Sequence, residues 1–159
     1  MEAIADATGV TKLILYRHFE SKEALYRAVV DRVSGRLAEE FAVVVSAGRR
    51  RGVAARAFLT VAREDPDGFR LLWRHAAREP AFAEYADRFG VLAVEFASAL
   101  LAPRVDDARW RRWGAETLVA FLVDAVLAWL DHGDPGRDDE FVTRVTASML
   151  AMVEPWSDR

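Results

Sequence analysis

The chain has 159 residues, 52% of them hydrophobic, a formal net charge of −3 and no cysteine. That length fits one domain able to bury roughly two-thirds of its unfolded surface. The missing cysteines exclude disulfides, thiolate metal sites and cysteine nucleophiles, and the acidic balance excludes a uniformly basic nucleic-acid binder, so any DNA contact has to come from a local basic face.

The opening MEAIADATGV has acids where a secretory signal would be basic and lacks an apolar run, so no leader is expected. Helical periodicity dominates, with no convincing alternating strand pattern. A short helix is predicted over residues 2–7, closed at Gly9, and a second from Thr11 to about His18. Ser21 is predicted to cap a long helix reaching about Val45, with Leu25, Val29, Val33, Leu37 and Phe41 recurring every four residues as its buried stripe. The linker SAGRRRG breaks it, and its run Arg49-Arg50-Arg51 reads as solvated charge. A helix over 53–64 follows. Asp65-Pro66, a cap with proline at the first helical position, then opens the helix carrying FRLLWRHAARE. Pro80 restarts the chain into a helix ending near Ala102 and Pro103. A long helix from about Asp107 to Asp131 holds LVAFLVDAVLAWL, shorter than a bilayer span and interrupted by Asp124, so no membrane partner is expected. The loop HGDPGRD leads to a last helix over 139–153. The fold class is all-α, with about eight helices.

The two short helices and the tight turn at Gly9 match a helix-turn-helix, whose second helix enters the major groove. Thr11 and Lys12 offer donors there, and Leu13 and Ile14 offer apolar contact suited to thymine methyls. Tyr16, Arg17 and His18 cluster at the far end, within reach of phosphates, and Lys22 lies in the first turn of the long helix. Leu15 and Phe19, four apart, are expected to point inward.

IADATGVTKLILYRHFESKEAL resembles the helix-turn-helix signature of the TetR (tetracycline repressor) family of bacterial transcriptional regulators, through Ile4, Ala5, Gly9, Val10, Thr11, Leu15, Tyr16, His18, Phe19, Ser21, Lys22 and Leu25. The resemblance implies that Lys12, Leu13, Ile14 and Tyr16 meet bases or the groove wall, and that Thr11, His18 and Lys22 meet phosphates. Leu13-Ile14 stand where the family often has Gly-Thr, which removes a hydroxyl and shifts readout toward apolar contact. Family members carry a full helix before Ile-Ala, so the resemblance also implies an N-terminally truncated chain. Residues 1–24 are expected to form an incomplete DNA-binding region, and residues 25–159 a ligand-binding and dimerisation domain. The expected function is a ligand-responsive cytoplasmic regulator, a repressor, binding a palindromic double-stranded DNA operator as a homodimer. The alternative is a dimeric ligand-binding module that no longer binds DNA.

Phe58, Phe69, Trp73, Phe89, Phe96, Trp113 and Phe121 fall on inward positions of the middle helices, with Arg70, Arg74 and His75 nearby. Each fits plain core packing. Together they could wall an apolar pocket with a few polar handles, and the resemblance implies a small-molecule effector there, largely apolar. Asp124, inside an apolar helix, needs a partner or an edge, and Arg144 is the expected partner, within the subunit or across a dimer. Leu118, Val119, Phe121, Leu122, Val123, Val126, Leu127, Trp129 and Leu130 cover nearly the whole helix circumference, so the last two helices are expected to form an isologous dimer interface. The three histidines are far apart, and no HExxH, Gly-rich phosphate loop or nucleophile elbow occurs. Neither an enzyme nor a cofactor is expected.

Overall fold

The computed structural model describes residues 19–46, 52–75 and 80–157. Over these residues the chain is helical, without strands. The elements are α1 (Lys22–Ser46), α2 (Val53–Glu64), α3 (Pro66–Arg70), α4 (Pro80–Leu101), α5 (Ala108–His132) and α6 (Asp138–Val153). A π-helical turn, Leu71–His75, continues α3, and 3-10 turns at Pro135–Arg137 and Glu154–Trp156 flank α6. The short helices predicted at 2–7 and 11–18, and the arginine run at 49–51, lie outside the described residues.

The helix starts follow from side-chain oxygens that take up orphan N–H groups. Ser21 Oγ accepts from Ala24 N at 3.0 Å. An Asp65 carboxylate oxygen accepts from Gly68 N at 3.0 Å, with Pro66 opening α3. Asp107 accepts from Arg109 N at 2.8 Å and Trp110 N at 3.0 Å.

The stripe on α1 differs from the predicted one. Tyr26, Val30, Val33 and Leu37 are buried, whereas Leu25, Val29 and Phe41 are half-buried. A strict spacing of four advances about 40° per step around a 3.6-residue helix. Leu25 and Val29 therefore rotate off the seam, and Tyr26 and Val30 take their places. α1 packs along α2, and Arg36 Nε meets Glu64 at 3.0 Å while Arg32 pairs with Asp65.

α2 is the central helix: Val53, Ala55, Ala57, Phe58, Leu59, Val61 and Ala62 are all buried. Around it the main core gathers Leu37, Phe69, Leu72, Leu122 and Val126. A second, smaller cluster (Leu101, Ala115, Leu118 and Val153, with Trp156 against it) closes the far end of the α5–α6 pair.

Two expectations fall on α5. Its apolar circumference is covered mostly by this chain's own helices: Leu118, Leu122, Val123, Val126 and Leu127 are buried, and Val119, Phe121, Trp129 and Leu130 half-buried. Along its exposed side runs a stripe of Trp113, Glu116, Ala120, Asp124, Ala128 and Asp131. Asp124 thus lies at an exposed edge, one of the two settings expected for it, and within the chain Arg144 is engaged by Glu140 at 2.7 Å rather than by Asp124. The helix also runs well beyond its apolar run. At 25 residues it is long and apolar enough to cross a membrane by length and composition, but here it packs as a core helix against α2, α4 and α6.

One glycine is required by close approach. A Cβ on Gly133 would fall 2.2 Å from the Trp129 ring, which stacks on Phe141 with centroids 5.0 Å apart. Gly133→Ala is expected to cost about 1–3 kcal/mol, an overpacking penalty, because Trp129 is held by its stack on Phe141 and its hydrogen bond to Asp138. A chemical melt checks it, and an unchanged midpoint would refute the close approach.

Candidate ligand cavity

Where α1, α2, α4, α5 and α6 converge, the packing leaves a cavity of about 330 Å³. Its walls are Phe41 from α1, Val53, Ala54, Ala55 and Phe58 from α2, Ala93, Phe96, Ala97, Ala99, Leu100 and Leu101 along α4, Leu118, Val119 and Leu122 from α5, and Thr146, Met149, Leu150 and Val153 from α6. The space comes from small residues. Gly52, Ala54, Ala55, Ala93 and Ala97 stand where larger side chains would close it. Phe41 and Phe96 meet at one end with ring centroids 4.8 Å apart, and Phe41 also approaches Phe58 edge-on at 5.8 Å.

Polar atoms are few. Thr146 Oγ1 is buried in the wall without a hydrogen-bond partner among the described residues. Gly52 faces it with φ 69°, where a Cβ would come 3.2 Å from that hydroxyl. Arg104, exposed, stands at the rim beyond the end of α4. A buried hydroxyl without a partner is costly, and an isosteric apolar replacement is neutral or favourable. Thr146→Val is therefore expected to raise stability by about 0.5–1 kcal/mol. A drop in the melting midpoint would mean the hydroxyl is satisfied after all.

The predicted pocket residues divide. Phe58 and Phe96 line the cavity. Phe69 is fully buried in the main core, and Trp73 packs against Phe58 and Phe69 at 5.8 Å and 6.3 Å, away from the cavity wall. Phe121 packs partly buried against the main core. Trp113 is 45% exposed, between Trp110 at 5.4 Å and Trp156 at 4.9 Å. The side chains of His75 and Phe89 lie outside the described residues. Arg70 and Arg74 are not cavity handles, because both bind Asp131, at 2.9 Å and 2.7 Å. Their hydrogen bonds hold the Asp131 carboxyl below the usual carboxylate range. Large aromatics do not mark most of the cavity wall; the alanines clustered on α2 and α4 do. Among the described residues no group of three or more His, Asp or Glu side chains could hold a metal ion.

A second hollow, between α2 and the start of α6, is polar and spent on pairing. Arg63 holds Asp138 through Nε at 3.0 Å and Nη2 at 2.8 Å, and Arg56 pairs with Asp139 at 2.6 Å.

Of the expected DNA-contacting residues, Lys22 is described: it is exposed at the first position of α1, beside Glu23, whose carboxyl is held below its usual range by hydrogen bonds at the helix start. Thr11, Lys12, Leu13, Ile14, Tyr16, Arg17 and His18 lie outside the described residues.

Residues 1–29 match the family described as bacterial regulatory proteins, tetR family. The chain is 33% identical over 147 residues to an uncharacterised HTH-type transcriptional regulator of Mycobacterium tuberculosis (strain H37Rv), covering 87% of this chain and 67% of that protein. It is 31% identical over 157 residues to the HTH-type transcriptional activator FasR of Mycolicibacterium smegmatis, covering 89% of this chain and 68% of the relative. With the helix-turn-helix signature, the all-helical architecture and relatives of this identity and coverage, the chain belongs to the TetR family of bacterial regulatory proteins, helix-turn-helix regulators of transcription.

Proposed function

We propose that this chain is a ligand-responsive, homodimeric regulator that reads a palindromic operator. Residues 1–24 form its DNA-reading region, with Lys12, Leu13, Ile14 and Tyr16 toward the bases and Thr11, Arg17, His18 and Lys22 toward phosphates. Residues 25–159 form the ligand-binding and dimerisation domain. The supporting observation is that one helix serves both regions. α1 begins directly after the reading segment and inserts Phe41 into the cavity wall near its other end. Between these ends α1 is anchored to the end of α2 through Arg36–Glu64 and Arg32–Asp65. A ligand that displaces Phe41 tilts α1 about this anchor and changes the separation of two reading heads. Only a ligand with different affinities for the two arrangements shifts their populations.

The exposed stripes of α5 and α6 support pairing of two copies. On α6 the stripe is Thr143, Ala147 and Ala151, small residues that permit close approach. Ala147→Arg should convert the assembly from twice the 17.8 kDa chain mass to a single chain in light scattering. Such a regulator works in the cytoplasm, where its operator is. Repression is the sign we assign, because a bound dimer covers promoter DNA. A promoter fusion that loses transcription when the gene is deleted would reverse that sign to activation, the activity in the printed name of the M. smegmatis relative.

The deciding experiment is binding to DNA from the chain's own promoter region at low and near-physiological salt, with excess nonspecific competitor, because phosphate binding alone falls steeply with salt. Competitor-resistant binding that Ile14→Glu abolishes supports the proposal. Binding that Ile14→Glu leaves unchanged, or that vanishes at the higher salt, leaves a dimeric ligand-binding module.

A further inference from the structure

Resting on the reading of the cavity as a ligand site, we infer that its ligand is an elongated apolar anion, seated along α4 with its charged end at Arg104. Three observations carry this. Among the described residues the wall contributes a single formal charge, the Arg104 guanidinium, and no carboxylate, so a cationic ligand would lose hydration without gaining a counter-charge there. Arg104 is uncommitted: its backbone N–H closes the turn onto Leu101 O at 2.9 Å, but its side chain makes no ion pair among the described residues, whereas most other arginines of the described chain hold an acid. Its neighbour Arg111 is already spent on the Val105 and Asp106 carbonyls.

The third observation is shape. The α4 stretch that lines the cavity, Ala93 to Leu101, is about 12 Å long at 1.5 Å per residue, and Arg104 follows its end. A ligand lying along that stretch places an apolar body against Ala93, Phe96 and Ala97 and delivers its last group to the guanidinium. Thr146 Oγ1, the other polar atom of the wall, can accept or donate one hydrogen bond but cannot neutralise charge.

The test uses the whole 159-residue chain and three straight-chain probes of near-equal apolar tail and different head: decanoate, decanol and decyltrimethylammonium. Calorimetric titration should find decanoate binding about fivefold tighter than decanol, the scale of a solvent-exposed ion pair, and the ammonium weakest. Arg104→Gln, a change at an exposed position, should bring decanoate to the level of decanol and leave decanol unchanged. Ala97→Leu, or Ala54→Leu should that variant fold poorly, narrows the cavity and should weaken both. Decanol binding as tightly as decanoate, with both weakened by the narrowing variant, would overturn the anion inference and leave the ligand-site reading standing. Binding indifferent to the narrowing variants, or absent for all three probes, would overturn both.

Discussion

Replacing Phe58 by alanine is expected to cost about 3–5 kcal/mol, the range for truncating a buried aromatic. Phe58 is 2% exposed and its ring meets three others: Phe41 at 5.8 Å, Phe69 at 6.0 Å and Trp73 at 5.8 Å. The loss adds the transfer energy of the ring to that of a void that the central helix cannot collapse into, because α2 is packed on nearly every side. For a chain of this length the midpoint of thermal unfolding should fall by roughly 10 °C. The void would also open into the ligand cavity, which Phe58 walls, so the variant should accept bulkier apolar ligands than the parent. A loss below about 1 kcal/mol would show that the aromatic cluster repacks and that α2 is less constrained than its burial implies.

The second large effect centres on Asp138 at the start of α6. Its carboxylate accepts from Arg63 at 3.0 Å and 2.8 Å and from Trp129 Nε1 at 2.7 Å. The Arg63 hydrogen bonds, and after them that of Trp129, hold the carboxyl below the usual carboxylate range, against the opposing effect of burial. The folded-state pKa is therefore lower than the unfolded one, near 3.9. Its stabilisation is complete above the unfolded value and disappears as pH falls through the folded one. Asp138→Asn should cost about 2–3 kcal/mol at pH 7, reduced from a fully buried pair because both side chains keep some solvent contact. Denaturation midpoints of parent and variant should converge as the pH is taken well below the unfolded carboxylate value and through the lowered folded one. A gap that persists in acid would assign the effect to shape rather than charge. Glu64 and Asp131, lowered by Arg36 and by Arg74 with Arg70, share the direction, so the parent itself should lose stability over the same acid window.

Helix starts were the most legible part of the sequence, because a cap is a local event: Ser21, Asp65-Pro66 and Asp107 carry their reason in adjacent residues. The face of α1 was less so. A four-residue repeat looks like a stripe on paper but winds off one in a 3.6-residue helix, and Tyr26 was passed over in favour of Leu25. For Asp124 the sequence leaves a partner and an edge both open, because burial is set by neighbours around the helix and not along it; Ala120 and Ala128 share its exposed side. The cavity was hardest to read. Aromatic side chains announce themselves in a sequence, but Phe69 and Trp73 fill space, whereas a cavity needs residues that leave it unfilled. Its only written trace was the scatter of alanines in two helices rich in alanine for reasons of propensity as well.

Those alanines also determine how such a site can diverge. A wall set by Ala54, Ala55, Ala93 and Ala97 can be refilled one methyl or isopropyl at a time from an unaltered backbone, each step trimming the length or girth of what fits. Meanwhile the anchor of α1 on α2, and with it the geometry of the output, stays where it is. Preference for a new molecule can then drift by single codon changes without a passage through unfolded intermediates, whereas a cavity walled by tryptophans would have to dismantle part of its core to change its mind.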